Sequence, residues 1–447
     1  MIPRDRRFAL WIAILVVSSS PRTLPAAAAA DRLAYEQPLA GLNDPDRERF
    51  FRGRALFRQV WTPAPAPDDA IDGLGPTYNR QSCVACHPRN GRGAPPAGPD
   101  EPMRTMLVRL SLPGSGPAGG PRPHPAYGDQ LNDEAIAGVP AEGRATIAWH
   151  DVPHVGPAGV VTRLRAPALR LHDLAFGALD GALFSARVAP AVFGAGLLEA
   201  VAQDYILKLA AEAKADGVRG HANVVWDAVT GQPAIGRFGA KANVADLANQ
   251  VANALLGDLG LTTATHPAQN CPGPQTACRA APDGGKPEVT AAQAADLAFY
   301  LAMLDAPPRR DAAAPAIQRG ERTFEAAGCA SCHRPTLETA VDARHPLLAR
   351  RIIHPYTDLL VHDLGPGLAD GRPDFAAGGS EWRTAPLWGL GASAAIAEHS
   401  TLLHDGRARD VEEAILWHDG EARIARERYE HLAAADRRDL LAFLRSL

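Results

Sequence analysis

Two runs of the chain carry residue types that can hold a redox cofactor: Cys83-Val84-Ala85-Cys86-His87 and Cys329-Ala330-Ser331-Cys332-His333. Two thiols three positions apart are spaced to form thioethers with the two vinyl groups on one porphyrin edge. The adjoining histidine then reaches the iron from one face, so C-x-x-C-H reads as c-type haem attachment. The rival chemistries fit less well. A thioredoxin-like dithiol needs C-x-x-C at a helix start in a βαβ setting and has no use for the histidine. A zinc site wants four ligands, which the two pairs together would supply. These pairs, however, lie far apart in the chain, and each carries the extra histidine at the same offset. A disulfide within either run would close only a tiny loop. The expectation is two covalently bound haems, one held by Cys83, Cys86 and His87, the other by Cys329, Cys332 and His333, with His87 and His333 as iron ligands.

The remaining cysteines, Cys271 and Cys278, stand in "NCPGPQTAC". In an oxidising compartment they suit a structural disulfide across a short Pro- and Gly-rich loop. A redox-active pair is the alternative, but nothing nearby would lower a thiol pKa.

The elements that must position these groups repeat. "RGRALF" at Arg52 to Phe57 precedes the first motif and "RGERTF" at Arg319 to Phe324 the second. An R-x-A-P stretch follows each, at Arg187 and at Arg383, and each half closes on a similar helix, "DLAFYL" from Asp296 and "DLLAFL" from Asp439. Four matched elements in one order argue for an internal duplication. Pro307 and Pro308 stop the helix between the halves, which sets the expected division: 1–30 a signal peptide, 31–306 an N-terminal haem domain with insertions, 307–447 a C-terminal haem domain. Helical periodicity is clearest at 43–60, 195–214, 242–258, 290–304, 312–328, 409–417 and 433–446. Between residues 103 and 170, "MLVRLSL", "ATIAWHDV" and "VVTRLRAPALRL" alternate like strands. The fold class expected is mainly α: two cytochrome c-like haem domains, the first with a β-rich insertion.

Composition sets the outer limits. A chain of 447 residues has room for two or three domains, and 46% hydrophobic with 21% charged residues suits a globular protein. The net charge of −4 and the absence of any block of like charges exclude a nucleic-acid partner. Arg4, Arg6 and Arg7, the apolar run Phe8 to Val17 and the small residues Ala26 to Ala30 read as a cleaved export signal, with an uncleaved anchor as the alternative. That apolar run is too short to span a bilayer comfortably. The mature chain is expected in the periplasm without a membrane span.

At this point the stretches "DGLGPTYNRQSCVACH", "GAGLLEAV", "GRFGAKANVADLANQVANALLGDLG", "YTDLLVHDLGPGLAD", "EWRTAPLWGLG" and "LLHDGRARDVEEAILWHDGEA" carry a resemblance. Across almost the whole mature chain the protein resembles the bacterial di-haem oxidoreductases labelled peroxidase or thiol oxidoreductase, relatives of the di-haem cytochrome c peroxidases. The resemblance implies one haem that reacts and one that relays electrons from a small periplasmic donor protein to peroxide or another small oxidant. In the peroxidase relatives the axial ligand of the relay haem follows "HDG…EEA", which carries that role onto His418 here, after Glu412-Glu413-Ala414. Methionine often stands there in relatives, so a histidine implies a lower potential. A carboxylate over the reacting haem moves protons in relatives, and Glu199 in "GAGLLEAV" is the candidate catalytic group. Its bland reading is a surface glutamate. Relatives also bind calcium between their domains; Asp363 and Asp405 are candidates, without a dedicated calcium loop.

The first haem has no sixth ligand that the sequence names. Met103, Met106 and Met303 suit core packing better than ligation, and His124, His150, His154 and His172 are each better explained structurally. Trp382, Trp388 and Trp417 could assist electron passage, though burial is the commoner role. The resulting expectation is an exported di-haem oxidoreductase of peroxidase type. The alternatives are a non-enzymatic electron carrier with two six-coordinate haems and an oxidase acting on a protein or organic substrate.

Overall fold

A computed structural model describes residues 33–447; the expected export signal at 1–30 lies outside the described residues. The elements that matter for the site are, in chain order, helix α1 (Asp44–Arg58), strands β1 (Met106–Ser115), β2 (Arg144–Val155), β3 (Val161–His172) and β4 (Leu183–Val188), then helices α2 (Leu247–Leu259), α3 (Ala291–Met303), α4 (Pro315–Ala326), α5 (Val411–Leu416), α6 (Arg423–Glu430) and α7 (Ala434–Leu444).

Local chemistry fixes the helix ends. Asn43 accepts the Asp46 amide at 2.8 Å at the start of α1, and Asp246 accepts the Asn249 amide at 2.9 Å at the start of α2. Thr290 and Gln293 form a reciprocal capping box on α3. Gly260 closes α2 in the left-handed conformation that glycine adopts without steric cost.

The sequence repeat is a repeat in space. Helix α1 crosses α3 at Gly53, where a Cβ would stand 2.1 Å from the Asp296 carbonyl oxygen and 2.7 Å from Tyr300 Cβ. Helix α4 crosses α7 at Gly320, where a Cβ would stand 2.0 Å from the Asp439 carbonyl oxygen and 2.7 Å from Phe443 Cβ. The residue before each glycine is an arginine paired with the aspartate across the crossing, Arg52 with Asp296 at 2.9 Å and Arg319 with Asp439 at 2.6 Å. Each crossing also pins an aromatic pair, Phe57 with Tyr300 and Phe324 with Phe443, with ring centres 5.5 and 5.3 Å apart. So the glycines, arginines and phenylalanines that made the sequence halves look alike perform one packing task twice.

The mainly α expectation of two cytochrome c-like haem domains is corrected here: the protein is 30% helical and 19% strand, with several small sheets. Strand β4, carrying the first R-x-A-P arginine, pairs antiparallel with β1 from Met106↔Val188 to Ser111↔Leu183. Strands β2 and β3 form a separate twelve-pair ribbon from Arg144↔His172 to Val155↔Val161. Short ladders join Val224–Asp227 to Gln232–Ile235 and Val361–Asp363 to Glu381–Arg383. Strands of two to four residues are too short to show a period of two, so Pro- and Gly-rich segments that read as loops hide them.

Apolar side chains gather in three main clusters. One surrounds Phe50, Phe57, Leu197, Leu255 and Tyr300; a second surrounds Phe324, Tyr356, Trp417, Tyr429 and Phe443. A third, beneath the root of the ribbon, contains Met103, Met106, Leu110, Tyr127 and Ile147. Among the described residues no helix is long and apolar enough to cross a membrane.

Candidate functional site

Cys83 to Cys86 form a single helical turn capped by His87, whose amide donates to the Cys83 carbonyl at 3.0 Å. The His87 Nδ1–H donates to the Pro190 carbonyl at 2.6 Å, just beyond the end of β4. A neutral imidazole that donates from Nδ1 keeps its lone pair on Nε2, which is the form that ligates a metal. Both thiols are free, and desolvation followed by the nearby Asp258 charge pushes each up to about 12. A working dithiol needs a depressed pKa, so this environment argues against thiol redox chemistry.

The second motif is arranged alike. Cys329–Ser331 form a short 3-10 turn, and His333 donates from Nδ1 to the Tyr356 carbonyl at 2.9 Å. Desolvation holds the Cys329 thiol at about 12 and, aided by His418, lowers His333 to about 4. The anchoring carbonyl belongs to Tyr356 and not to the second R-x-A-P, so that motif does not play the same part in both halves. His418, just after α5, donates from Nδ1 to the Ala414 carbonyl at 2.7 Å, and desolvation lowers its pKa. The His333 and His418 rings have centres 6.4 Å apart. A metal–imidazole bond of about 2.1 Å on each side, plus the two ring radii, spans a gap of that size. Two neutral imidazoles with Nδ1 engaged elsewhere thus fit an iron held between them.

Both motifs line one cavity of about 850 Å³, bounded by Phe57, Met106, Leu255, Trp388 and Leu402 among others. Trp382 and His404 also line it, stacked with ring centres 3.5 Å apart and planes 11° apart. Desolvation lowers His404 to about 4, so the stack contains a neutral imidazole. Beside it Arg187 pairs with Asp374 at 2.9 Å, Arg372 with Asp374 at 3.1 Å and Lys241 with Asp370 at 2.9 Å. Three buried cations against two carboxylates leave that group one net positive charge. A group of that sign suits an occupant bearing acidic groups.

Glu199 does not reach the cavity. Its carboxylate accepts the Leu247 amide at 2.8 Å at the start of α2 and lies 3.8 Å from Arg344. That is the placement of an anion at a helix N-terminus, and it leaves the acid–base role expected of Glu199 without a geometric basis. Asp258, near the end of α2, does line the cavity, as do Asp129, Asp216, Asp374 and Glu421. Asp258 accepts from Gln130 Nε2 at 2.9 Å, and desolvation raises its pKa. The sequence carries Asp258 inside "GDLG" with nothing to distinguish it.

His362 was also missed. It is buried, donating to Asp358 at 3.0 Å and Glu421 at 2.8 Å, with Cys332 Sγ 3.6 Å away. Burial alone would lower its pKa, yet the hydrogen bonds to Asp358, Cys332 and Glu421 push it up to about 11. Asp358, which burial would raise, is held at about 2 by His362 and Lys214. Met103 packs in the core under the ribbon, Met106 packs there and also lines the cavity, and Met303 is buried on α3. Cys271 and Cys278 are joined in a disulfide. Among the described residues no group of three or more histidines, cysteines, aspartates or glutamates gathers to hold a metal ion.

Comparison with known proteins follows the same outline. The family described as "Di-haem oxidoreductase, putative peroxidase" matches residues 16–111 and 178–447. No curated protein matches significantly. Among solved structures, hydrazine synthase of Kuenenia stuttgartiensis, pressurised with 20 bar xenon, aligns over 98% of this chain and 99% of its own at 14% identity and a TM-score of 0.32. A likeness that low bears on neither fold nor function.

Proposed function

Because the chain belongs to the di-haem oxidoreductase family, we propose that it is an exported redox enzyme with two c-type haems that reduces hydrogen peroxide or a similar small oxidant at the first. Cys83, Cys86 and His87 would hold that haem; Cys329, Cys332, His333 and His418 would hold the second. When bound, the haems supply iron that exchanges single electrons and, where an axial face is free, takes up a small oxidant.

The observation that carries this reading is an asymmetry. Each motif histidine is approached by a phenylalanine from the helix crossing, Phe57 by His87 and Phe324 by His333, at 6.2 and 6.5 Å between ring centres. His333 alone of the two also has a second imidazole within ring contact among the described residues, that of His418. A site with two imidazoles is built to pass electrons, and one with a single imidazole keeps a face for chemistry.

The chain's own groups then divide the work. The Pro190 and Tyr356 carbonyls fix the tautomer of His87 and His333 and raise their basicity. Asp258 lies on the cavity wall with its pKa raised by burial, the direction that suits a general acid. Arg187 and Arg372, which line the cavity, would receive haem carboxylates. The Trp382–His404 stack offers an aromatic route for electrons delivered by a small periplasmic donor protein.

The test uses protein matured in a host able to attach haem. Mass spectrometry should show a gain of two haems on the mature chain, and the reduced protein should be reoxidised by peroxide with turnover in the presence of a reduced donor. Two attached haems with no peroxide turnover would leave the electron carrier as the better reading.

A further inference from the structure

The family match stops at residue 111 and resumes at 178, and the β2–β3 ribbon lies entirely in that gap. Its root belongs to the third apolar cluster through Ile147, but its middle leaves that neighbourhood: Leu164, Ala166 and Val152 pack into the second cluster, with Trp417 and Tyr429. The ribbon therefore reaches from the first motif's half of the chain onto the helix that precedes His418.

The contact is polar and specific. The Arg165 amide on β3 donates to Glu413 Oε1 on α5 at 2.5 Å. The Arg165 guanidinium lies 4.0 Å over the Trp149 ring and donates to the Arg407 carbonyl at 3.0 Å and the Gly406 carbonyl at 2.7 Å. In return Arg409 Nη2 donates to the Arg163 carbonyl at 2.5 Å. Nearer the ribbon tip His154 is paired with Glu430 on α6. Glu413 is buried, and its other donors are all from Arg409: the amide and Nε, both at 2.7 Å, and Nη2 at 3.2 Å. The next residue is Ala414, whose carbonyl holds the His418 ring.

Helix α5 has six residues, far below the roughly 12 to 15 at which an isolated helix becomes even marginal in water. Its position must come from what packs against it. We propose that the β2–β3 ribbon is a clamp that positions His418: β3 fixes Glu413, Glu413 fixes α5, and α5 presents the Ala414 carbonyl that orients the imidazole. Arg165 and Glu413 are the positioning residues. The inference rests on the reading of His333 and His418 as an axial pair.

The test compares the haem-loaded full chain with a variant in which residues 151–165 are replaced by an Asn-Gly turn joining His150 to Ala166. That pair already faces across the ribbon, and the root with Ile147 and Trp149 is kept. The readouts are carbon monoxide bound per reduced protein and the low-spin resonance of the oxidised second haem. The parent should bind one carbon monoxide, and the shortened ribbon should raise this towards two while the low-spin resonance loses intensity. Glu413→Ala should do the same, with Glu413→Gln largely restoring the parent values because its amide oxygen still accepts the Arg165 N–H. If the shortened chain does not fold, Arg165→Ala, which keeps the ribbon, should give a partial rise in carbon monoxide binding. Parent-like stoichiometry and resonance in the folded variants would overturn the clamp. His418→Ala is run alongside: if it too leaves the parent resonance unchanged, the axial pairing itself is wrong and the clamp falls with it.

Discussion

Gly320 lies so close to Asp439 that a side-chain carbon would sit 2.0 Å from its carbonyl oxygen, and Gly53 stands in the same relation to Asp296 at 2.1 Å. Backbone cannot yield as a flexible side chain does. Gly320→Ala should therefore force α4 and α7 apart, at about 1–3 kcal/mol as for other overpacked sites. A lowered urea midpoint, together with reduced haem content at the second motif, is the expected result, and Gly53→Ala should act in the same way at the first.

Burial pushes Glu142 up to about 8, although it accepts hydrogen bonds from the Asn132 amide and Gln275. The folded chain thus keeps a proton that the unfolded chain releases near 4.5. Between those values the native state binds more protons, so this group's contribution to stability falls as pH rises through the window and is fully lost above about 8. Glu142→Gln should flatten that part of the pH profile, measured as urea midpoint against pH.

The ion cluster at Cys332 has the opposite dependence on acid. Asp358 and Glu421 are both held at about 2 through their contacts with His362. Depressed carboxylates stabilise the fold above their unfolded pKa values and lose that contribution as pH falls towards 2. His362→Asn should lower the urea midpoint at pH 7 and reduce the loss between pH 5 and pH 2. It should leave covalent attachment at Cys329 and Cys332 intact by mass.

Asp258→Asn tests the cavity-wall carboxyl. Both haems should remain attached, while the rate of peroxide turnover falls by about 10² or more, as expected when a positioned proton donor is lost. Glu199→Gln, by contrast, should leave turnover near the parent value, since its carboxylate is committed to the start of α2.

Much of this was legible where neighbours in sequence decide the chemistry. The Cys-x-x-Cys-His runs, the helix starts at Asn43 and Thr290, and the alternation along residues 144–172 are all local signals, whereas the helix expected from 242 begins only after Asp246. The glycine crossings were visible as repeated letters before their purpose was. What stayed hidden depends on partners far along the chain. Glu199 follows an R-x-A-P stretch in sequence, but Leu247 and Arg344 decide where its charge goes. His362 acquires its properties from Asp358, Glu421 and Cys332, and Asp258 from Gln130 and the cavity. The small ladders failed to register because two to four residues show no period.

The central claim is that iron sits between His333 and His418 while the iron on His87 keeps an open face. Low-temperature electron paramagnetic resonance of the oxidised, haem-loaded protein reads both sites at once. The account predicts one low-spin signal of a bis-imidazole haem, lost in His418→Ala, beside one high-spin signal that survives that substitution. Two low-spin signals, or a low-spin signal indifferent to His418→Ala, would contradict it.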